Sequence, residues 1–132
     1  MKIIVKMKDG KIIGRIEDFD NKEFIASNFN TLKKDISLFI NDNAKELEAN
    51  GSKKAARKLS LTKLEYYLDL RHLFHVLPYI NKSKFAEYLE INPSLFRQYT
   101  IKPTYISEER LEVINKGLHR AAKDMLDVVL VP

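Results

Sequence analysis

Hydrophobic and polar positions alternate over the first part of the chain and then change period. Ile3, Ile4 and Val5 lead into Lys8, Asp9, Gly10 and Lys11, and Ile12, Ile13 and Ile16 follow. Asp-Gly between two β-branched runs predicts a tight hairpin, because both central turn positions need φ > 0. Residues 22–27, where Phe24 and Ala26 alternate with Glu23 and Ile25, predict a third strand. The period then becomes helical. Leu32, Ile36, Phe39, Ile40, Ala44 and Leu47 form one apolar stripe that would face the sheet, with Asn30 as the expected N-cap and Gly51 as the expected stop. Residues 1–50 thus read as a β-β-β-α lobe.

Residues 51–60 are small, basic and weakly patterned, which predicts a linker or a turn or two more of the preceding helix. Alternation returns over residues 61–68, with Leu64, Tyr66 and Leu68 on one face and Lys63, Glu65 and Tyr67 on the other. A lone strand is not stable, so this one is expected to complete the N-terminal sheet or to pair with a second chain. From Asp69 the pattern is helical almost to the end. Asp69 would cap a helix with Leu70, Leu73, Phe74 and Leu77 inward and Pro78 ending it; residues 82–89 follow with Phe85, Ala86 and Leu89 inward. Asn92-Pro93 restarts the chain as an N-cap and a proline at the first helical position. A last helix begins at Ser107, its core stripe expected at Leu111, Ile114, Leu118, Ala122 and Met125. The expectation is an α+β protein: a small antiparallel sheet with one helix, a basic linker, a strand at 61–68, and an all-α lobe over 69–132.

Composition narrows the function classes. A chain of 132 residues with 45% hydrophobic content can bury a core. It has no cysteine, and His72, His75 and His119 lack thiolate partners, which argues against a structural metal site. No apolar run is long enough for a membrane span or a secretory signal, so a cytoplasmic soluble protein is expected. The net charge of +5 is unevenly spread. Residues 1–50 balance nine Lys/Arg with nine Asp/Glu, residues 51–81 carry six against two, and residues 82–132 eight against seven. The surplus lies mainly at Lys53, Lys54, Arg57, Lys58 and Lys63. These can lie along phosphates, clamp an acidic partner, or solvate a mobile tether, the last being the slightly favoured reading.

Candidate chemistry lies in residues 82–102. Two short helices that meet at a fixed angle need a small residue where they cross and apolar residues at set offsets. Phe85, Leu89, Ile91, Phe96 and Tyr99 occupy those offsets, and Ala86 is the crossing residue. Glu90 stands where the left-handed turn usually has glycine, at a cost of about 1 kcal/mol. On this register Pro93, Ser94, Arg97 and Gln98 face outward from the second helix. Arginine can address guanine, glutamine adenine, and serine either a base or a phosphate. Lys82, Lys84 and Lys102 would touch the backbone of the DNA.

The run Ile91-Asn92-Pro93-Ser94-Leu95-Phe96-Arg97-Gln98-Tyr99, with residues 64–70 and the helix over 111–126, resembles the C-terminal part of HicB-family antitoxins and HicB-like regulators. The N-terminal β-β-β-α unit fits the same layout, although the Pro-Gly-Cys signature of many such proteins is missing and residues 28–32 match their helix entry only loosely. The resemblance implies a partial ribonuclease-H-like lobe that masks a small HicA-like ribonuclease toxin, and a helix-turn-helix lobe that binds operator DNA as a homodimer or higher oligomer and represses its own operon. It implies no cofactor and no catalysis. Two rivals stand beside it. Asp18, Asp20 and Glu23 are the nearest group of carboxylates for a metal-dependent nuclease, but a solvated turn accounts for them. The helical half can instead serve only for dimerisation, with Tyr66, Tyr67, Tyr79 and Tyr105 at an interface, or the chain can be an orphan regulator without a toxin. The β-prone residues 127–131 can pair with a second chain or pack on their own bundle.

Overall fold

A computed structural model describes all residues, 1–132, and shows an α+β protein with a four-stranded mixed sheet and six α-helices. The chain divides into two compact units, Met1–Leu77 and Pro78–Pro132. No helix is long and apolar enough to cross a membrane.

The first unit opens with β1 (Lys2–Lys8) and β2 (Lys11–Ile16), paired antiparallel from Ile3 opposite Ile16 to Lys8 opposite Lys11. Asp9 and Gly10 take φ of 52° and 73°, the two positive values that a two-residue hairpin of native twist requires. A 3-10 turn over Glu17–Phe19, then Asp20 and Asn21 in the left-handed region, leads into β3 (Lys22–Ala26). Its pairing puts Ile25 opposite Ile13 and Ala26 opposite Ile12. Helix α1 (Phe29–Ala49) then crosses the sheet with Leu32, Ile36, Ile40 and Ala44 buried, as the stripe predicted. Its cap is Asn28, not Asn30: the Asn28 side chain accepts from the Thr31 N–H, which starts the helix two residues earlier.

Residues 51–60 depart from the expected linker. They form α2 (Lys53–Leu61), so the basic stretch is a helix and not a tether. Gly51 takes a φ of 84° at the end of α1; its N–H donates to the Glu48 carbonyl at 3.0 Å and the Ser52 N–H donates to Leu47 at 2.9 Å. This left-handed closure turns the chain sharply, and the Lys, Ala, Arg and Leu residues that follow are good helix formers. A helix this short needs tertiary contacts. Buried Ala56 and half-buried Leu59, which packs on the core, supply them. Lys53, Lys54, Arg57 and Lys58 line its exposed side.

The returning strand β4 is shorter than the alternation suggests, spanning Glu65–Tyr67, although Leu64, Tyr66 and Leu68 remain the more buried set over 61–68. It lies beside β1 in parallel, Ile3 opposite Tyr66, which gives the order β3-β2-β1-β4. The sheet is therefore mixed rather than antiparallel. Two helices separate β4 from β3, and a helical crossover returns the chain in the direction that a parallel pairing needs. Helix α3 (Leu70–Val76) follows, capped by Asp69, whose side chain accepts from the His72 N–H. Ile3, Val5, Ile12, Ile16, Leu32, Ile36 and Val76 meet in one core, rimmed by Phe24, Phe39 and Tyr66. Burial pushes the Tyr66 phenol above its ordinary value.

The second unit is all helical: α4 (Lys82–Tyr88), α5 (Pro93–Ile101) and α6 (Glu108–Leu126), with a 3-10 turn over Pro103–Tyr105. Phe85, Ala86, Leu89, Ile91, Phe96, Thr100 and Ile114 are buried in it. The α6 stripe differs from expectation. Ile114 and Gly117 are buried and Leu118 is half-buried, but Leu111, Ala122 and Met125 are exposed. The more buried face instead runs through Ile114, Gly117, Leu118 and Ala121, which leaves Leu111, Ala122 and Met125 off it.

Candidate nucleic-acid interface

Each helix of the α4–α5 pair starts from a sequence-encoded cap. The Asn81 side chain accepts from the Lys84 N–H at 2.9 Å, and the Asn92 side chain accepts from Ser94 and Leu95 at 2.9 and 3.3 Å. Pro93 occupies the first turn of α5, where its missing N–H is not needed. Between the helices Glu90 takes a φ of 58°, the left-handed conformation expected at the turn. Its N–H donates to Glu87, and the Ile91 N–H donates to Ala86 at 2.9 Å, which closes the end of α4. A Cβ-bearing residue in this conformation is strained. Glu90→Gly is therefore expected to stabilise the protein by about 1 kcal/mol in a urea melt; an unchanged or lower midpoint would argue against the strained turn.

Apolar residues behind the turn hold the pair at its crossing. Phe85 and Phe96 meet edge to face with ring centroids 6.0 Å apart. Ala86 is fully buried. Leu89 sits against Gly117 of α6, where an added Cβ would overlap the Leu89 Cδ2 methyl, so the glycine admits close approach. Across the bundle, Tyr88 donates to Asp124 at 3.1 Å and accepts from Arg120 at 2.9 Å, tying α4 to α6.

The outward residues fall where the spacing put them. Pro93, Ser94, Arg97 and Gln98 are all exposed, and Ser94, Arg97 and Gln98, at i, i+3 and i+4, share one face of α5 while Phe96 is only 1% exposed. Tyr99 is half-buried and not fully in the core. Lys82 and Lys84 are exposed on the first turn of α4, and Lys84 lies 3.5 Å from Glu87 in a solvated pair. Lys102 follows α5, its Nζ 5.4 Å from the centre of the Tyr105 ring. The carboxylates of α6 belong to a different element, and there Lys116, 2.8 Å from Glu112, holds that carboxyl below its usual range.

The remaining candidates do not build a second site. Asp18 and Asp20 lie in and just after the 3-10 turn, both exposed or partly so, and Glu23 is exposed on β3. His72 is half-buried, 3.9 Å from its own capping Asp69, and His75 is exposed. Tyr79 and Tyr105 are 74% and 72% exposed, so neither is the core residue that aromatics most often are. Met125, expected on the core stripe, and Leu126 are exposed, and so are Val128, Val129, Leu130 and Val131, which the sequence left open between packing on their own bundle and pairing with a second chain.

The second unit is thus a pair of short helices crossing at a left-handed turn, backed by a third helix, with a polar, arginine-bearing outer face. No protein family, curated protein or solved structure matches the chain.

Proposed function

We propose that the second unit is a helix-turn-helix that binds double-stranded DNA, with α5 entering the major groove. The observation that carries this reading is the combination of Glu90 held left-handed between α4 and α5 with Ser94, Arg97 and Gln98 presented together on the open face of α5. A helix fits the major groove, where each base pair shows a distinct pattern of donors and acceptors. Arg97 and Gln98 are the base-reading residues, with Ser94 and Pro93 at the entry. Lys82, Lys84 and Lys102 neutralise phosphates on either side and set the register.

The test is a salt-titrated binding assay on duplex DNA from upstream of the reading frame. Affinity is expected to fall steeply with salt, and each Lys→Ala change to reduce the salt slope by about one. Arg97→Ala is expected to weaken specific binding by about 1–3 kcal/mol with an unchanged melting temperature. Binding that ignores both salt and Arg97 would refute the reading and leave a dimerisation bundle.

On its resemblance to HicB-family antitoxins, the chain is a transcriptional regulator of a type II toxin-antitoxin system, acting in the cytoplasm. Its first unit neutralises a small HicA-like ribonuclease, and its second represses the operon. Three antiparallel strands, two helices and a returning strand parallel to the first support a partial ribonuclease-H-like reading of that unit. Co-purification with a short basic protein encoded in the adjacent frame tests it; with no such frame, the orphan regulator is the reading to keep. The protein is not an enzyme on this account. A divalent-metal-dependent nuclease activity lost in Asp18→Ala and Asp20→Ala would overturn that.

A further inference from the structure

The net charge of the chain sits on one short helix. Lys53, Lys54, Arg57 and Lys58 of α2, with Lys63 just beyond it, are five cations with no carboxylate between Glu48 and Glu65; the rest of the chain sets eighteen Lys/Arg against eighteen Asp/Glu. All five are exposed and none is ion-paired, although Glu46 and Glu48 stand exposed at the end of α1, against which α2 packs. Ala56 and Leu59 turn the opposite side inward, so Lys54, Arg57 and Lys58, at i, i+3 and i+4, share the open face, with Lys53 one turn before Arg57. Thr62 closes the helix, its N–H donating to the Leu59 carbonyl at 3.2 Å and its hydroxyl to that of Lys58 at 2.8 Å. The charges are therefore held in register and do not trail on a tether. Their arrangement works against the helix that carries it. Lys53 with Arg57 and Lys54 with Lys58 are like charges at i, i+4, and Lys53 and Lys54 stand at the positive end of the helix dipole. A face that serves only solvation can mix both signs and gain such pairs, as Glu112 and Lys116 do on α6.

We propose that the open face of α2 binds the phosphate backbone of duplex DNA without regard to sequence, as a contact separate from that of α5. Three features choose this partner. The four charges from Lys53 to Lys58 span about 7.5 Å of helix axis, a length over which a duplex presents about four phosphates. The helix holds no aromatic residue, so it lacks the stacking platform on which single strands are bound. Three of its four cations are lysines, which are depleted at protein interfaces and meet a phosphate as point charges. That the duplex is DNA rests on the reading of α5; the phosphate contact itself does not.

Fluorescence anisotropy of the full chain with a short labelled duplex of unrelated sequence, across a salt series, is the test. The double substitution Lys54→Gln, Lys58→Gln is expected to lower the slope of log affinity against log salt by about two. Between about 50 and 200 mM salt the parent then loses roughly tenfold more affinity than the variant. Lys6→Gln, Lys8→Gln removes the same charge from exposed positions of β1 and should leave the slope as it is. Lys53→Glu, Lys54→Glu should weaken binding while the melting temperature holds or rises, because each glutamate gains a cation one turn on and suits the positive end of the helix. Loss of binding in that variant is then not loss of fold. An unchanged slope in the α2 glutamine variant, an equal change in the β1 variant, or tighter binding to the single strand, to duplex RNA or to polyglutamate would each overturn the proposal. Arg97→Ala, measured in parallel, keeps the two readings apart. It should remove the preference for the upstream sequence over the unrelated duplex, whereas the α2 variants weaken both alike. Should Arg97→Ala change nothing while the α2 variants still lower the slope, the reading of α5 fails and the α2 contact stands.

Discussion

Phe96→Ala is expected to cost about 3–5 kcal/mol of stability, a large share of what a domain of this size has. Phe96 is 1% exposed and is among the largest fully buried side chains, and its ring meets Phe85 edge to face. Truncation removes the ring from the floor of the α4–α5 crossing and leaves a cavity that the flanking helices, each anchored by its own asparagine cap, can close only in part. Urea unfolding followed by circular dichroism measures the loss; a change below about 1 kcal/mol would mean that the ring does not centre this packing. The comparison with Arg97→Ala is informative. Arg97, one residue on and exposed, should lose DNA affinity without losing stability, whereas Phe96→Ala should lose both.

A second large effect is expected in the sheet unit, and its sign depends on context. Leu32 is fully buried, and Leu32→Ala should cost about 2–5 kcal/mol. Gly14 of β2 faces it: a Cβ added at Gly14 would lie 3.1 Å from Leu32 Cδ1, 3.2 Å from Leu32 Cδ2 and 3.1 Å from Ile36 Cδ1. Gly14 is not among the residues of positive φ, so alanine is allowed there conformationally. Alone, Gly14→Ala overpacks a tight contact, and any gain from stiffening the unfolded chain is offset by side-chain displacement. With Leu32 already shortened, the same methyl enters the void and should restore part of the loss. The two substitutions are expected to couple favourably by about 1–2 kcal/mol in a double-mutant cycle. Additive effects would show that α1 does not bear on β2 at this point.

Several elements were legible because their causes are local. Asp9-Gly10 specifies a two-residue hairpin through the backbone angles that its residues tolerate. Asp69 and Asn92 cap the helices expected of them because a short side-chain acceptor reaches the first free N–H groups of whichever helix follows. The outward set on α5 was legible from period alone. Once Phe96 goes inward, Ser94, Arg97 and Gln98 go out, and even the strained Glu90 follows from the spacing of its apolar neighbours. Asn28 and Asn30 show the limit of such reasoning. Either can cap, and the choice falls to Asn28, one turn before buried Leu32.

The type of most elements, and the direction of the side chains on α1 and α5, were therefore determined by the sequence itself, since both depend on residues within a turn or two. Three matters were decided only by tertiary structure. The basic stretch became α2 because its good helix formers also had Ala56 and Leu59 to bury, and a helix this short is not held by propensity alone. The strand at Glu65–Tyr67 was placed parallel beside β1 by the crossover of two helices, not by its own alternation. Finally, Leu118, Ala122 and Met125 have the spacing of buried residues, yet burial requires a second surface. Tyr88 and Leu89 meet α6 at Gly117, Arg120 and Asp124 and leave Ala122 and Met125 to one side, so periodicity can say which residues share a face but not which face the packing partner takes.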